Sequence, residues 1–170
     1  MTKSEMPEPW LRGTMTDIPP VHRAVLHALE LAKEDIQRWC GGLSDAQLNA
    51  RPAGVAPVAF HLRHIARSVD RLLTYAEGKQ LTSEQLAMLK TELDAEANAA
   101  ELFAEFGGAI NQAAERVRTL VAVPLDASRK VGRKELPTTV GGLLVHVADH
   151  TQRHVGQAIT TAKFVAGQKS

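Results

Sequence analysis

Apolar residues recur at intervals of three and four along four long segments of this chain, and strand-like alternation is almost absent. This is the period of an α-helix that buries one face. The first segment begins after Pro19-Pro20 and ends at Gly41-Gly42, and these residues suit the first turn and the end of a helix. The pattern predicts an all-α fold, in which each long helix must find a partner for its apolar face.

The spacing predicts four long helices, which cover about residues 20–40, 57–77, 95–121 and 138–166. Two short helices are predicted between them, one capped by Ser44, with Gln47 at capping-box spacing, and one capped by Ser83. Four amphipathic helices, joined by short connections and one long one after Pro124, predict a four-helix bundle with one long crossover connection. A short extended pair is one interpretation of that long connection.

The glycine pair Gly107-Gly108 in the third long helix predicts either a kink or the close approach of another helix. Residues 1–18 are expected to form an irregular arm, and residues 19–168 one bundle domain, because the length suits a single core. The single cysteine, Cys40, excludes an intramolecular disulfide and is interpreted as a small buried hydrophobe rather than a nucleophile.

The chain carries 20 basic and 19 acidic residues, a balance that argues against a nucleic-acid binder with a broad phosphate-neutralising surface. The basic run at 128–134 is interpreted as solvated loop charge. No apolar run approaches the roughly 18 residues of a membrane-spanning helix, and nothing is typical of a targeting signal. We therefore expect a cytoplasmic protein that binds a small-molecule substrate and engages neither membrane nor nucleic acid.

Five of the seven histidines lie in two short windows, "PVAFHLRHIARS" at 57–68 and "LLVHVADHTQRHVGQ" at 143–157. With about 100° per helical residue, His150 and His154 fall on the core face of the fourth long helix, one turn apart. His146 falls at the edge of that face. On the second long helix His61 falls inside the core face and His64 at its edge, so the angles alone favour His61 as the inward residue.

Two histidines at i and i+4 can share one metal ion, whereas a lone histidine on an apolar face is usually a hydrogen-bonded core residue. Several imidazoles buried in one core are costly unless each is satisfied, and a metal ion satisfies them together. The zincin motif is excluded because Thr151 follows His150, and the chain contains no Glu-x-x-His for a di-iron site. The pattern favours a mononuclear, histidine-rich site, with satisfied core histidines as the alternative.

The two histidine windows, and the ending His154-Val155-Gly156-Gln157, resemble the DinB-like (YfiT-like) superfamily of metalloenzymes over about residues 20–165. The resemblance implies one metal-ligating histidine on the second long helix and two, four apart, on the fourth. The fourth-helix pair matches His150 and His154. Relatives place the other ligand before a hydrophobic-alanine pair, as His64 precedes Ile65-Ala66, so the resemblance favours His64 where the angles favour His61.

The resemblance thus implies that His64, His150 and His154 hold a divalent metal ion, for which zinc or nickel is suited. His61, His146 and Gln157 become pocket residues or neighbours of the ligands. His22 and His27 match no motif and are expected at the surface or in the core. Family members resemble S-transferases and isomerases that use low-molecular-weight thiols such as bacillithiol or mycothiol, and they are commonly homodimers.

Three imidazoles leave a position on the metal open, where a thiol cofactor or a water could bind. Three functions stay open besides a purely structural role: a metal-dependent thiol S-transferase, which we favour, a metal-dependent hydrolase, and a stress-response bundle that binds a metal or small molecule without turnover. No catalytic residue is assigned. Asp149 is expected to face solvent, Glu101 and Glu105 are ordinary helix-surface residues, and a carboxylate as a further ligand stays open.

Overall fold

The computed structural model describes residues 6–93 and 98–167 of the chain. The described part is mostly helical, as the sequence predicts, with one small antiparallel sheet. The helices are α1 (Pro20–Cys40), α2 (Asp45–Asn49), α3 (Val58–Ala76), α4 (Ser83–Leu89), α5 (Ala99–Thr119) and α6 (Val140–Gly167), and the strands are β1 (Ser128–Val131) and β2 (Leu136–Thr139). Single 3-10 turns lie at Pro9–Leu11, Pro52–Gly54 and Leu120–Ala122.

The four long helices, α1, α3, α5 and α6, pack around one hydrophobic core. Helix α6 contacts both α1 and α3 along its length, and α5 contacts α3 and, less extensively, α1. In the described residues α1 and α3 form no comparable contact, nor do α5 and α6. These two pairs therefore lie diagonally across the core. The arrangement places α3 directly beside α6, although they are the second and fourth long helices in the sequence.

The predicted long helices match those observed within a few residues, and the ends of α3 and α4 have clear physical causes. Gly78 stops α3 in the left-handed region with φ 78°, where a residue without a Cβ is favoured. The predicted cap of α4, Ser83, is wrong by one residue. Thr82 is the cap, because Gln85 lies three residues after it and completes a capping box that Ser83 lacks. The capping box predicted at Ser44 and Gln47 is present.

All three connections between long helices, 41–57, 77–98 and 120–139, are of similar length, so the one after Pro124 is not exceptional. It contains the short extended pair, β1 and β2. The basic run at 128–134 is not simply solvated, because Arg129 of β1 donates from Nε to the carbonyl of Ala76 at the end of α3, at 2.7 Å. The strand pair therefore fastens the last turn of α3.

Helix α6 begins directly after β2, where the Thr139 hydroxyl accepts a hydrogen bond from the Gly142 amide at 3.1 Å. A Cβ at Gly141 would lie 3.1 Å from the Leu125 carbonyl, which explains the glycine there. No such approach exists at Gly107 or Gly108, where a Cβ would meet nothing within 4 Å among the described residues. The predicted close approach of a helix at this glycine pair is wrong.

A network of polar side chains, here called the arginine network, joins α3 to α5. Arg116 of α5 donates to Asp70 and to Glu77, each at 2.6 Å, and to the hydroxyl of Thr74 at 3.1 Å. Gln85 of α4 donates to Asp70 at 2.6 Å and to Thr74 at 2.9 Å. Three helices are therefore fixed to one another at the end of α3 that lies away from the histidines.

Candidate metal centre

Helices α3 and α6 bring the two histidine windows face to face. Apolar residues next to the histidines drive this contact. Four of them are completely buried: Leu62 and Ile65 of α3, and Leu144 and Val147 of α6. Burial of each such side chain contributes about 1.5–3 kcal/mol. The histidines lie at one turn's spacing within each helix, so docking the apolar faces also aligns the imidazoles.

His64, His150 and His154, here called the histidine cluster, each offer a ring nitrogen, and these nitrogens lie within 4.8 Å of one another. The Nε2 atoms of His64 and His150 are 3.0 Å apart. The ring of His154 lies 4.3 Å from that of His64 and 4.6 Å from that of His150, between centroids. Two nitrogens that bind one zinc ion at about 2.1 Å are about 3.0–3.4 Å apart at ordinary ligand angles. The donor type and this spacing fit a divalent ion such as zinc or nickel.

His61 lies beside the cluster rather than in it. Its Nδ1 atom is 3.1 Å from Nδ1 of His154, and its side chain is almost fully buried. The helical angles favoured His61 over His64. The side chain of His61 does point into the core, but there it contacts His154 and is not one of the three grouped histidines. His64, at the edge of the core face, reaches His150 across the α3–α6 interface. The structure therefore brings together the three residues that the family resemblance favoured.

Two members of the cluster, His150 and His154, are uncharged at neutral pH. Burial lowers the pKa of His150 and of His154 to about 4 each, and the neighbouring imidazoles lower them in the same direction. Burial followed by the charges of His154 and His64 lowers the pKa of His61 to about 4 as well. The Nδ1 atom of His150 is buried and has no hydrogen-bond partner among the described residues. Neutral imidazoles with free lone pairs are the form that binds metal ions.

The Glu92 carboxylate touches His64 on the side opposite the cluster. Its Oε2 atom lies 2.6 Å from Nδ1 of His64, and its Oε1 atom accepts from Arg71 at 2.7 Å. Burial raises the pKa of Glu92, but the hydrogen bonds from His64 and Arg71 outweigh it, so that the net pKa is lowered. No expectation from the sequence included Glu92, which lies in the connection after α4. One pattern could have indicated it: His64, Arg67 and Arg71 lie on one face of α3, and such a basic face favours a carboxylate as its partner.

The remaining histidines lie outside the cluster. The exposed His146 stacks in parallel on His150, with ring centroids 5.4 Å apart. His27 is buried, and its Nε2 lies 3.2 Å from the Thr14 hydroxyl. His22 is also buried, and neither ring nitrogen finds a hydrogen-bond partner in the described parts of the chain. Asp149 is exposed and pairs with Arg153.

A cavity of about 590 Å³ lies beside His61 and Phe60, and none of the three cluster histidines lines it. His61, which contacts His154, forms part of its wall together with Phe60, whose ring stacks on His64 at 5.2 Å. Its lining combines apolar side chains with polar ones from α6. It includes the apolar residues Val55, Ala56, Phe60 and Phe164 and the polar residues Arg153, Gln157, Thr160 and Thr161.

None of the helices in residues 6–93 and 98–167 is both long and apolar enough to cross a bilayer. No curated protein matches the chain. The sequence model of the DinB superfamily matches residues 28–158, which run from the first turns of α1 to beyond the last histidine of α6 and include all three members of the cluster. Since the match covers most of the chain and both histidine windows, this protein belongs to the DinB superfamily.

Proposed function

We propose that this protein is a metal-dependent enzyme that transfers a low-molecular-weight thiol to an electrophilic carbon. His64, His150 and His154 would hold one divalent ion, zinc or nickel. The observation that carries the proposal is the convergence of three imidazoles from two helices, next to His61 and Phe60 in the wall of a cavity large enough for a small molecule. A divalent ion with three imidazole ligands keeps an open position, at which the pKa of a bound thiol falls so that the thiolate forms at neutral pH.

The chain's own residues supply binding and orientation. Phe60 and Phe164 form an apolar wall against which the organic part of a substrate packs, and Arg153 offers a cation to an acidic group at the polar wall. His61 holds the His154 ring in place through the contact between their Nδ1 atoms. In the reaction the thiol loses its proton, sulfur bonds to the electrophilic carbon, and the leaving group departs with its bonding electron pair.

The first test is the metal content of protein purified without a histidine tag. Elemental mass spectrometry is expected to find about one zinc or nickel ion per chain in the wild type and in His146→Ala, and almost none in His154→Ala. His146 is the matched control, because it lies on the same helix and stacks on His150 but is exposed and outside the cluster. Wild-type protein that is metal-free and cannot be loaded at neutral pH would overturn the proposal.

The second test separates thiol transfer from the other functions. The metal-loaded protein is assayed with bacillithiol or mycothiol and a panel of electrophiles, and separately with esters and amides without thiol. Thiol consumption that requires both metal and His154 supports the S-transferase. Metal-dependent hydrolysis without thiol would replace it with a hydrolase, and metal binding without any turnover would leave a binding protein.

The proposal also includes assembly as a homodimer, which the family resemblance implies, and a location in the cytoplasm, which the sequence pattern leads us to expect. Light scattering after size-exclusion chromatography tests the first at assay concentrations. Cell fractionation tests the second, with the protein expected in the fraction that contains cytoplasmic markers.

A further inference from the structure

The contacts of His64 are different at its two ring nitrogens. Nε2 faces His150 inside the cluster, at 3.0 Å, whereas Nδ1 faces the Glu92 carboxylate at 2.6 Å. Glu92 therefore approaches the same ring from the side away from the site. A carboxylate only accepts hydrogen bonds, so the His64 nitrogen that it faces is the one that carries the proton. In a neutral ring this leaves Nε2 with a free lone pair directed at the cluster.

The structure holds Glu92 firmly in this place. Only 5% of the residue is exposed, and Arg71 of α3 donates to its second carboxylate oxygen. The preceding residues are fastened to α3 as well, because Arg67 donates to the Met88 carbonyl and to the Thr91 hydroxyl, each at 2.9 Å. The connection after α4 thus inserts one buried, ionised carboxylate beside His64. A charge in such a position is retained only when its partners are well placed.

We infer that Glu92 is a positioning residue for the proposed metal site, which fixes the tautomer and orientation of His64 so that Nε2 is presented to the ion. The inference rests on the proposed function, since it assigns a role toward the metal that His64 would bind. Glu92 itself touches neither the ion nor the substrate. Its effect is therefore expected in metal affinity, and in catalysis only through the fraction of protein that is loaded.

Metal affinity of Glu92→Gln tests the inference, because this variant keeps the size of the side chain and removes the carboxylate. Loss of a carboxylate behind a metal-ligating histidine typically weakens metal binding about 10- to 100-fold. The matched control is Glu105→Gln, since Glu105 binds Arg67 in the same region but does not touch a histidine. Competition titration with a chelating dye is expected to show the loss in Glu92→Gln and less than about a threefold change in Glu105→Gln. Equal losses in both variants, or none in Glu92→Gln, would overturn the inference.

The tautomer of His64 in the metal-free wild type is a second readout, which does not depend on whether Glu92→Gln folds. Long-range ¹H–¹⁵N spectra at pH 8, assigned with His64→Gln, are expected to show the proton of His64 on Nδ1. A proton on Nε2 would overturn the inference and leave the proposed function standing if the protein binds metal. Conversely, wild-type protein that binds no metal would refute the proposed function, while a proton on Nδ1 would still show that Glu92 sets the tautomer.

Discussion

Helix α3 carries two polar regions that are built on opposite rules. In the arginine network at its end, each cationic nitrogen of Arg116 faces a carboxylate or a hydroxyl. Arg116 and Lys79 together compensate the charges of Asp70 and Glu77. In the histidine cluster, like groups face like groups, and each neutral imidazole has one proton for its two ring nitrogens. The arginine network is therefore complete as it stands, whereas Nδ1 of His150 has no hydrogen-bond partner among the described residues, and the proposed metal ion would use the free lone pairs of the cluster.

The pKa shifts favour the charged form in the arginine network and the uncharged form in the histidine cluster. Burial raises the pKa of Glu77, but hydrogen bonds from Arg116 and Lys79 outweigh it, so that the ionised form is favoured. Burial lowers the pKa of His150 and His154 to about 4 each, so that the ionised form is disfavoured. The same helix thus stabilises charge at one end and keeps lone pairs free at the other. This difference gives separate, measurable consequences for stability and for binding.

The largest expected effect is stabilisation of the fold by the metal itself. A ligand that binds only the native state at about a thousand times its dissociation constant adds about 4 kcal/mol to the free energy of unfolding. Zinc at that excess is expected to stabilise the wild type by this amount and to leave His150→Ala unchanged, because the variant lacks one of the three facing imidazoles. Chemical unfolding with and without zinc measures the difference. Stabilisation of His150→Ala equal to that of the wild type would place the metal elsewhere.

The arginine network is expected to show the complementary behaviour. Removal of one partner from a fully buried ion pair costs about 3–5 kcal/mol. The side chains of Arg116, Glu77 and Asp70 are 18%, 20% and 38% exposed, so solvent screening reduces the expected cost of Arg116→Ala to about 2–3 kcal/mol. The metal affinity of Arg116→Ala should equal that of the wild type, since the arginine network does not contact the histidine cluster.

The matched control for Arg116→Ala is Arg118→Ala, two residues further along α5. Arg118 pairs with Glu115 of the same helix, and that carboxylate is largely exposed. Such a surface pair contributes less than about 0.5 kcal/mol. A loss in Arg118→Ala as large as that in Arg116→Ala would mean that the network adds nothing beyond ordinary surface charge.

The difference between the two regions also bears on what the sequence can predict. Apolar period, prolines, glycines and capping boxes are local signals, and they predicted the long helices to within a few residues. The partners of Arg116 come from α3, and the contact of Arg129 with the end of that helix comes from a strand far along the chain. No local period encodes such pairs. The predicted loop at 128–134 therefore missed the part that Arg129 plays in fastening α3.

The residues of the candidate site also divide into those that local patterns predict and those that depend on contacts between distant parts of the chain. The spacing of His150 and His154 predicted that they would lie on one helical face, and the family resemblance favoured His64 over His61. Angles on a single helix favoured His61, whereas the structure groups His64 with His150 and His154, because the outcome depends on where α6 lies beside α3. Glu92 was missed for the same reason, since it reaches His64 only after the connection following α4 folds back.

Acid is expected to weaken the two regions in different pH windows. The histidine pKa is 6.5 without the fold and about 4 in it for His61, His150 and His154, so the unfolded chain binds more protons between these values. The corresponding stability is full above pH 6.5 and is lost as the pH falls toward 4. Water reaches the half-buried rings of His150 and His154, so we expect a total loss on the order of 1–2 kcal/mol.

The Glu77 carboxylate of the arginine network loses its contribution only as the pH falls below 4.5, because its folded pKa lies below that ordinary value. Urea unfolding of the metal-free protein at half-unit steps from pH 7.5 to 2.5 measures both windows. His61→Leu should flatten the upper window, and Arg116→Ala should leave it unchanged. Constant stability between pH 6.5 and 5 would show that the imidazoles are not desolvated by the fold.

The smallest expected effect compares two capping boxes that differ in their distance from the histidine cluster. Loss of either cap, in Thr82→Ala or Ser44→Ala, costs about 1 kcal/mol of local helix stability. Only α4 leads into the segment that carries Glu92, so partial fraying of α4 frees that carboxylate. At 1.4 kcal/mol per tenfold, zinc affinity should fall about two- to fivefold in Thr82→Ala. Ser44→Ala should retain the wild-type affinity, and an equal fall in both variants would show that the two helices influence the site only through global stability.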